Sequence, residues 1–301
     1  MSSHGQHVDV AEVNERNVII TIFLNFVITA VEVVGGLVSG SLSLLSDALH
    51  NFSDALAILV SYVALKLSRR ASTPQKTFGY KRAQILAALL NAAVLIVIAF
   101  FLFKEAVERL GTTVPIDGRL MGMVAVVGLL ANLLAVLLLH RDAGKNINIR
   151  SAYLHLVADT LSSVAVVFGS LLVYFGNFYW VDPVLTILIG IYILKKGYAV
   201  LKESVNILMQ STPAHLDVGV IKGEIEAVDA VLNCHHIHLW QLDDRQVHFE
   251  AHIKVQQDYT ISQTDEVIRR IETLLRDRFA ISHVTLQFEY EKCESPRPDR
   301  R

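Results

Sequence analysis

Two five-residue stretches carry most of the chemistry in this sequence: HNFSD, with His50 and Asp54, and HLVAD, with His155 and Asp159. Each sits inside a long apolar run, where an ionisable group is destabilising by several kcal/mol unless it faces a partner or a wet cavity. On an α-helix, residues i and i+4 share a face one turn apart, so each stretch presents an imidazole and a carboxylate together. Two imidazoles and two carboxylates make a four-ligand N/O set that suits tetrahedral Zn2+. The carboxylates also cancel the ion's double charge, which matters most at low dielectric. One HxxxD alone is equally explained by a local hydrogen bond between two buried polar groups. Its recurrence in a second apolar run favours a shared ligand site. Asp47 lies three residues before His50 on the same face. It reads as a partner that orients a histidine, as a step in a proton path, or as a buried residue bonded to Ser43 or Ser46. Glu32, close to Gly35-Gly36, reads as a packing or relay residue.

Elements long enough to hold these groups in a bilayer need about 20 mostly apolar residues. Six segments qualify: Val18–Val38, Leu42–Leu67, Ile85–Val107, Leu120–Leu139, Ala152–Phe175 and Val184–Leu201. Turn residues separate them, among them Gly40-Ser41, Pro74 with Gly79, Pro115 with Gly118, and Gly176-Asn177. Asp182 before Pro183 reads as the cap and first turn of the last span. Positive charge gathers in alternate connections: Arg69, Arg70, Lys76, Lys81 and Arg82 in one, Arg141, Lys145 and Arg150 in another, and Lys195, Lys196 and Lys202 around the end of the sixth span. That bias puts both termini in the cytoplasm. The first sixteen residues are polar and a full-length span follows, so no cleavable signal is expected. The formal net charge of −2 gives no electrostatic case for nucleic acid as a partner. Two cysteines, Cys234 and Cys293, make no disulfide framework.

From about Gln210 the chain reads as an ordinary soluble domain. Leu216–Val228 is predicted helical, and Val231–Leu242 and Gln246–Val255 are predicted strands. Ser262–Phe279 is predicted helical, with Ser262 as N-cap and Asp265 three residues on, and His283–Tyr290 is a last strand. In the second strand Val247, Phe249, Ala251, Ile253 and Val255 alternate with His248, Glu250, His252 and Lys254. The order αββαβ suits a small α+β sandwich. The run CHHIH (Cys234 to His238), with His248, His252 and His283, suggests metal binding by its density, although packing histidines on a sheet face would look the same. The rival functional class is a metal-dependent intramembrane hydrolase. No HExxH or Gly-x-Ser-x-Gly motif appears, and a catalytic zinc keeps an open position that four protein ligands would close.

The stretches EVVGGLVSGSLSLLSDALHNFSD, FGYKRAQILAALLNA, NINIRSAYLHLVADTLSSVAVV and VDPVLTILI resemble the cation diffusion facilitator family, of the bacterial zinc-exporter type with a His/Asp site. The resemblance covers about Asn17 to Tyr290. It implies a polar tail (1–16), a six-helix transmembrane domain (17–208), a cytoplasmic ferredoxin-like αββαβ domain (209–292) and a C-terminal tail (293–301). It also implies a homodimer in the bacterial inner membrane that exports Zn2+, with Cd2+ second, in exchange for H+. Co2+, Ni2+ or Fe2+ as the preferred ion is the alternative within the family. No enzymatic activity, organic cofactor or nucleic-acid partner is implied. Carried over by position, His50, Asp54, His155 and Asp159 form the transport site. His235, His252 and Glu289 correspond to a regulatory zinc site in the cytoplasmic domain, with Asp265 and Gln287 at two further ligand positions. Gln287 is a poor zinc ligand, so that site is depleted or rearranged. Gln84 stands where relatives often carry Glu, and Ser68–Tyr80 contains no His or Asp for a loop site.

Overall fold

A computed structural model describes residues 15–68, 70–112, 114–140, 147–243 and 246–290. Among them, six long helices precede a small α+β region: α1 (Glu15–Ser39), α2 (Leu42–Ser68), α3 (Ala83–Leu110), α4 (Gly118–His140), α5 (Ile147–Gly176) and α6 (Val181–Leu208). Four stretches of described residues are long and apolar enough to cross a membrane: Ala83–Leu110, Gly118–Leu137, Leu156–Gly176 and Val181–Leu208. A shorter apolar stretch, Phe26–Ser39, belongs to α1. The chain forms two compact units. One joins the described residues up to Tyr62 to Leu90–Val200, and the other joins Val63–Leu89 to the described residues from Leu201 onward.

The first unit is inverted relative to a water-soluble protein. Phe101, Phe168 and Leu161 are exposed, whereas Glu32, Asp47, His50, Asn132 and Asp159 are buried. Apolar atoms outward and charge inward is the arrangement that lipid requires. α1 packs along α4, and α4 along α5. In the α1–α4 contact Gly128 faces the Glu32 carboxylate, which a Cβ there would crowd. Between α1 and α2 the chain reverses at Gly40, whose φ of +76° is readily available to glycine. An apolar cluster of Leu44, Met121, Val166, Val173 and Ile193 fills the space beside the buried polar groups.

In the second unit α7 (Val218–Glu226), β1 (Val231–Gln241), β2 (Val247–Val255), α8 (Ile261–Phe279) and β3 (His283–Glu289) follow in the order αββαβ. The sheet order is β1-β2-β3, with β1 antiparallel and β3 parallel to the central β2. α8 is the crossover that a parallel pair requires. Its Val267, Ile271 and Leu275 recur at i, i+4 and i+8 and bury against Phe249, Ala251 and Ile253 of β2. Asp217 caps α7 by accepting from Gly219 N and Val220 N. The start of α8 differs from the sequence expectation. Thr260 is the N-cap and Ser262 lies inside the first turn, because Gln263 Oε1 reaches back to accept the Thr260 N–H at 2.9 Å. Along β2 the alternation holds except at His248, which is buried. Trp240 stacks on its ring at 5.3 Å, and Phe78, from the turn after α2, meets it edge-on.

Candidate functional site: a buried metal-ligand cluster

α2 begins with its first turn held from across the unit. Asp182, at the start of α6, is fully buried. Its Oδ2 accepts the Leu42 N–H at 2.8 Å and its Oδ1 the Ser43 N–H at 3.1 Å. The hydroxyls of Ser41 and Ser43 donate to Oδ1, each at 2.6 Å. Asp182 therefore caps α2, not its own helix as the sequence suggested. A carboxylate there satisfies otherwise orphaned donors and sits at the positive end of the helix dipole. Two turns on, the anchored helix presents Asp47, His50 and Asp54.

His50 Nε2 lies 3.0 Å from Asp159 Oδ1 on α5 and 3.6 Å from Asp54 Oδ2 on its own helix. His50, Asp54 and Asp159 can each offer a ligand atom, all within 4.8 Å of one another. His50 and Asp159 are buried, and Asp54 is half-buried. His155 lies on α5 one turn before Asp159, and its side chain is outside the described residues, as are Arg69 and the loop of Arg141 and Lys145. The Tyr192 ring of α6 meets His50 edge-on at 5.8 Å, and Lys196 Nζ lies over that ring at 4.4 Å.

Asp47 is held by α5 and not by Ser43 or Ser46. Ser162 Oγ donates to its Oδ1 at 3.0 Å, and Ser163 Oγ lies 3.2 Å from its Oδ2. Asn132 of α4 donates to Ser163 Oγ at 3.0 Å. Glu32 accepts from Asn51 Nδ2 at 2.9 Å, which ties α1 to the residue next to His50. A buried polar belt through α1, α2, α4 and α5 thus surrounds the three ligands. Ser162, Ser163, Asn132 and Asn51 carry no motif of their own. Their signal in the sequence is only that polar residues recur on one face of apolar helices.

A second cluster lies on the sheet. His252 Nδ1 is 2.9 Å from Glu289 Oε1, and His235 Nε2 is 3.5 Å from Glu289 Oε2. These three residues also gather their ligand atoms within 4.8 Å. Both ring nitrogens of His235 and Glu289 Oε2 are buried without a hydrogen-bond partner. Buried polar atoms are normally satisfied, and each of these three residues can offer a ligand atom to a metal ion. Gln287 donates to Glu289 Oε1 at 3.0 Å and so orients the carboxylate. Asp265 is exposed on α8 and is not in the cluster. β1 shifts register between His235 and His238, where His236 has a φ of +53°. Such a bulge re-aims neighbouring side chains. His248 and His283 pair separately, with ring centroids 4.7 Å apart. Burial, the neighbouring His283 and Lys81 hold the His248 imidazole below its ordinary pKa. Burial and the Glu226 carboxylate push the Cys234 thiol up to about 12.

An imidazole between two carboxylates among apolar helices is a ligand set of the class that suits a divalent cation. Comparison with known proteins gives the same class. Residues 18–209 match the cation efflux transmembrane domain, and residues 213–291 match the cytoplasmic domain of cation efflux proteins. The chain belongs to the cation efflux, or cation diffusion facilitator, family. It is 39% identical over 276 residues to the zinc transporter ZitB of Pectobacterium atrosepticum, covering 89% of this chain and 85% of that one. It is 37% identical over 263 residues to the cadmium, cobalt and zinc/H(+)-K(+) antiporter of Bacillus subtilis, covering 87% and 84%. Among solved structures, the metal-bound C-terminal domain of the CzcD transporter from Cuprividus metallidurans is 30% identical, covering 25% of this chain and 99% of that one, with a TM-score of 0.22.

Proposed function

We propose that the protein exports Zn2+, with Cd2+ as a second substrate, across the bacterial inner membrane in exchange for protons. The observation that carries this reading is the trio His50, Asp54 and Asp159 on two helices of an apolar unit, with His50 and Asp159 buried and Asp54 half-buried. His155, one turn from Asp159, completes the tetrahedral set in this proposal. Relatives named as zinc transporters and as a metal/H+ antiporter support the choice of ions and counter-ion. The proposed organisation has a tail (1–16), six spans (17–208), a ferredoxin-like cytoplasmic domain (209–292) and a second tail (293–301). Both termini are cytoplasmic and the protein is a homodimer. The family matches at 18–209 and 213–291 support that division.

The coupling follows from the ligands. Imidazole and carboxylate bind metal only when deprotonated, so loading Zn2+ releases protons. With the site open to the outside, protons at higher activity compete for the same atoms and release the metal. Histidine suits the exchange because its unperturbed pKa lies near neutrality. Asp47, held by two serines of α5, keeps α2 and α5 in register in this mechanism and offers the released protons a neighbouring acceptor. His235, His252 and Glu289 are proposed to bind a regulatory zinc. Replacing His50 or Asp159 by alanine is expected to abolish Zn2+ uptake into inverted vesicles while the protein still purifies as a dimer. Uptake at the wild-type rate in both variants contradicts the site assignment.

A further inference from the structure

The second unit holds a cavity that metal transport leaves unused. It has a volume of about 670 Å3 and opens where the turn after α2, the start of α3 and the far end of β1 meet. Lys76, Lys81 and Arg82 line it, and among the described residues no aspartate or glutamate does. Arg82 Nε is buried without a hydrogen-bond partner. Lys76 Nζ lies over the Tyr80 ring at 4.1 Å, and Lys81 donates to Gln246. Asp243 stands behind Gln246, accepting its N–H at 2.7 Å, and does not line the cavity. The rest of the wall is apolar, including Leu67, Phe78, Leu86 and Trp240. Leu86 is 54% exposed, one turn into the apolar stretch that begins at Ala83.

Two cations directly before an apolar helix and a third from the turn that leads into it, with exposed leucine just beyond, match a molecule that is anionic at one end and hydrocarbon at the other. We propose that this cavity binds the headgroup of an anionic phospholipid from the cytoplasmic leaflet. The phosphate is held by Arg82, Lys76 and Lys81, and an acyl chain leaves along Leu86. Basic pockets at the cytoplasmic ends of membrane helices hold such headgroups, and the guanidinium fork suits a phosphate better than a point charge does. Free phosphate would satisfy the cations but leave Phe78 and Leu86 uncovered, which decides for the lipid. The site would make the link between the α2–α3 turn and the sheet depend on lipid. The inference rests on the reading that the C-terminal domain is cytoplasmic, and its test needs no metal.

The test uses full-length protein in a non-ionic detergent, offered equal amounts of phosphatidylglycerol and phosphatidylcholine, with retained lipid counted by native mass spectrometry. Phosphatidylglycerol is expected to be retained in preference, and millimolar inorganic phosphate is expected to leave it bound. Each cation near a membrane surface is worth about fivefold in affinity for anionic lipid. The double variant Lys76→Gln/Arg82→Gln should therefore lose more than tenfold, and Lys195→Gln/Lys202→Gln, with the same change in charge away from the cavity, should lose little. Equal retention of the two lipids by the wild-type protein overturns the proposal, and so does complete displacement by phosphate. Equal losses in the two double variants would do the same.

Discussion

Replacing Asp182 by alanine should destabilise the membrane unit and displace the proposed metal ligands of α2. The carboxylate accepts two backbone N–H groups of α2, at 2.8 and 3.1 Å, and two serine hydroxyls at 2.6 Å. The hydroxyls can turn to other acceptors, so only the backbone donors enter the sum. A buried donor left without a partner costs about 1–3 kcal/mol, and bonds to a charged acceptor lie at the upper end. Two of them give about 4 kcal/mol. Loss of the charge at the helix N-terminus adds up to about 1 kcal/mol. For a cooperative unit of this size, 1 kcal/mol corresponds to about 2–4 °C, so Asp182→Ala should lower the melting temperature in detergent by roughly 10 °C or more. Asp182→Asn keeps the shape and one acceptor oxygen, and should fall between alanine and wild type. Intrinsic fluorescence during a thermal ramp reads both. An alanine variant that melts within about 2 °C of wild type, below the effect of 1 kcal/mol, would refute the claim that this carboxylate anchors α2.

Three further outcomes follow from single contacts. Gly128→Ala puts a Cβ against the buried Glu32 carboxylate, so it should lower the melting temperature, and Gly128→Ala with Glu32→Ala should recover much of the loss; a single variant as stable as wild type contradicts a carboxylate held fixed against Gly128. In a Cys293→Ser background, the Cys234 thiol, pushed up to about 12 by burial, should resist iodoacetamide at pH 8 in the folded protein and react quickly in denaturant. Because its pKa is raised on folding from an ordinary value near 9, its stabilising contribution is complete below about pH 9 and is lost as pH rises from there toward 12; stability of the domain that is flat across that window contradicts the burial. His252→Ala should weaken zinc binding by the full-length protein at the cytoplasmic cluster by at least tenfold, measured by titration calorimetry in an Asp159→Ala background; an unchanged isotherm removes that residue from the site.

Much of this architecture can be read locally, and the exceptions share one cause. The alternation Val247, Phe249, Ala251, Ile253, Val255 is a property of neighbouring residues and it marks the buried face of β2. The spacing of His50 and Asp54 is local as well. Asp182 reads as a cap of its own helix because Asp-Pro has that pattern whatever it contacts, and the groups it does cap lie about 140 positions earlier. For Asp47 the sequence leaves three readings open, one of them a bond to serines of its own helix, because its partners Ser162 and Ser163 lie 115 and 116 positions away. His248 alternates as an outward residue and is buried by Trp240 and Phe78, one of them from a distant turn. At the start of α8, Thr260 and Ser262 are both able to cap, and Gln263 decides between them through a bond that composition does not reveal. Period and motif are visible in one dimension, whereas a partner for a buried polar group is chosen in three.

One His/Asp site is proposed to exchange a divalent metal for protons. Its most direct test is proton release in proteoliposomes loaded with a pH dye and challenged in turn with Zn2+, Cd2+, Co2+ and Ni2+. Proton movement opposite to Zn2+ is expected, with Cd2+ next, and its loss in Asp159→Ala. Zinc flux without proton counterflow, or counterflow that survives in Asp159→Ala, would contradict it.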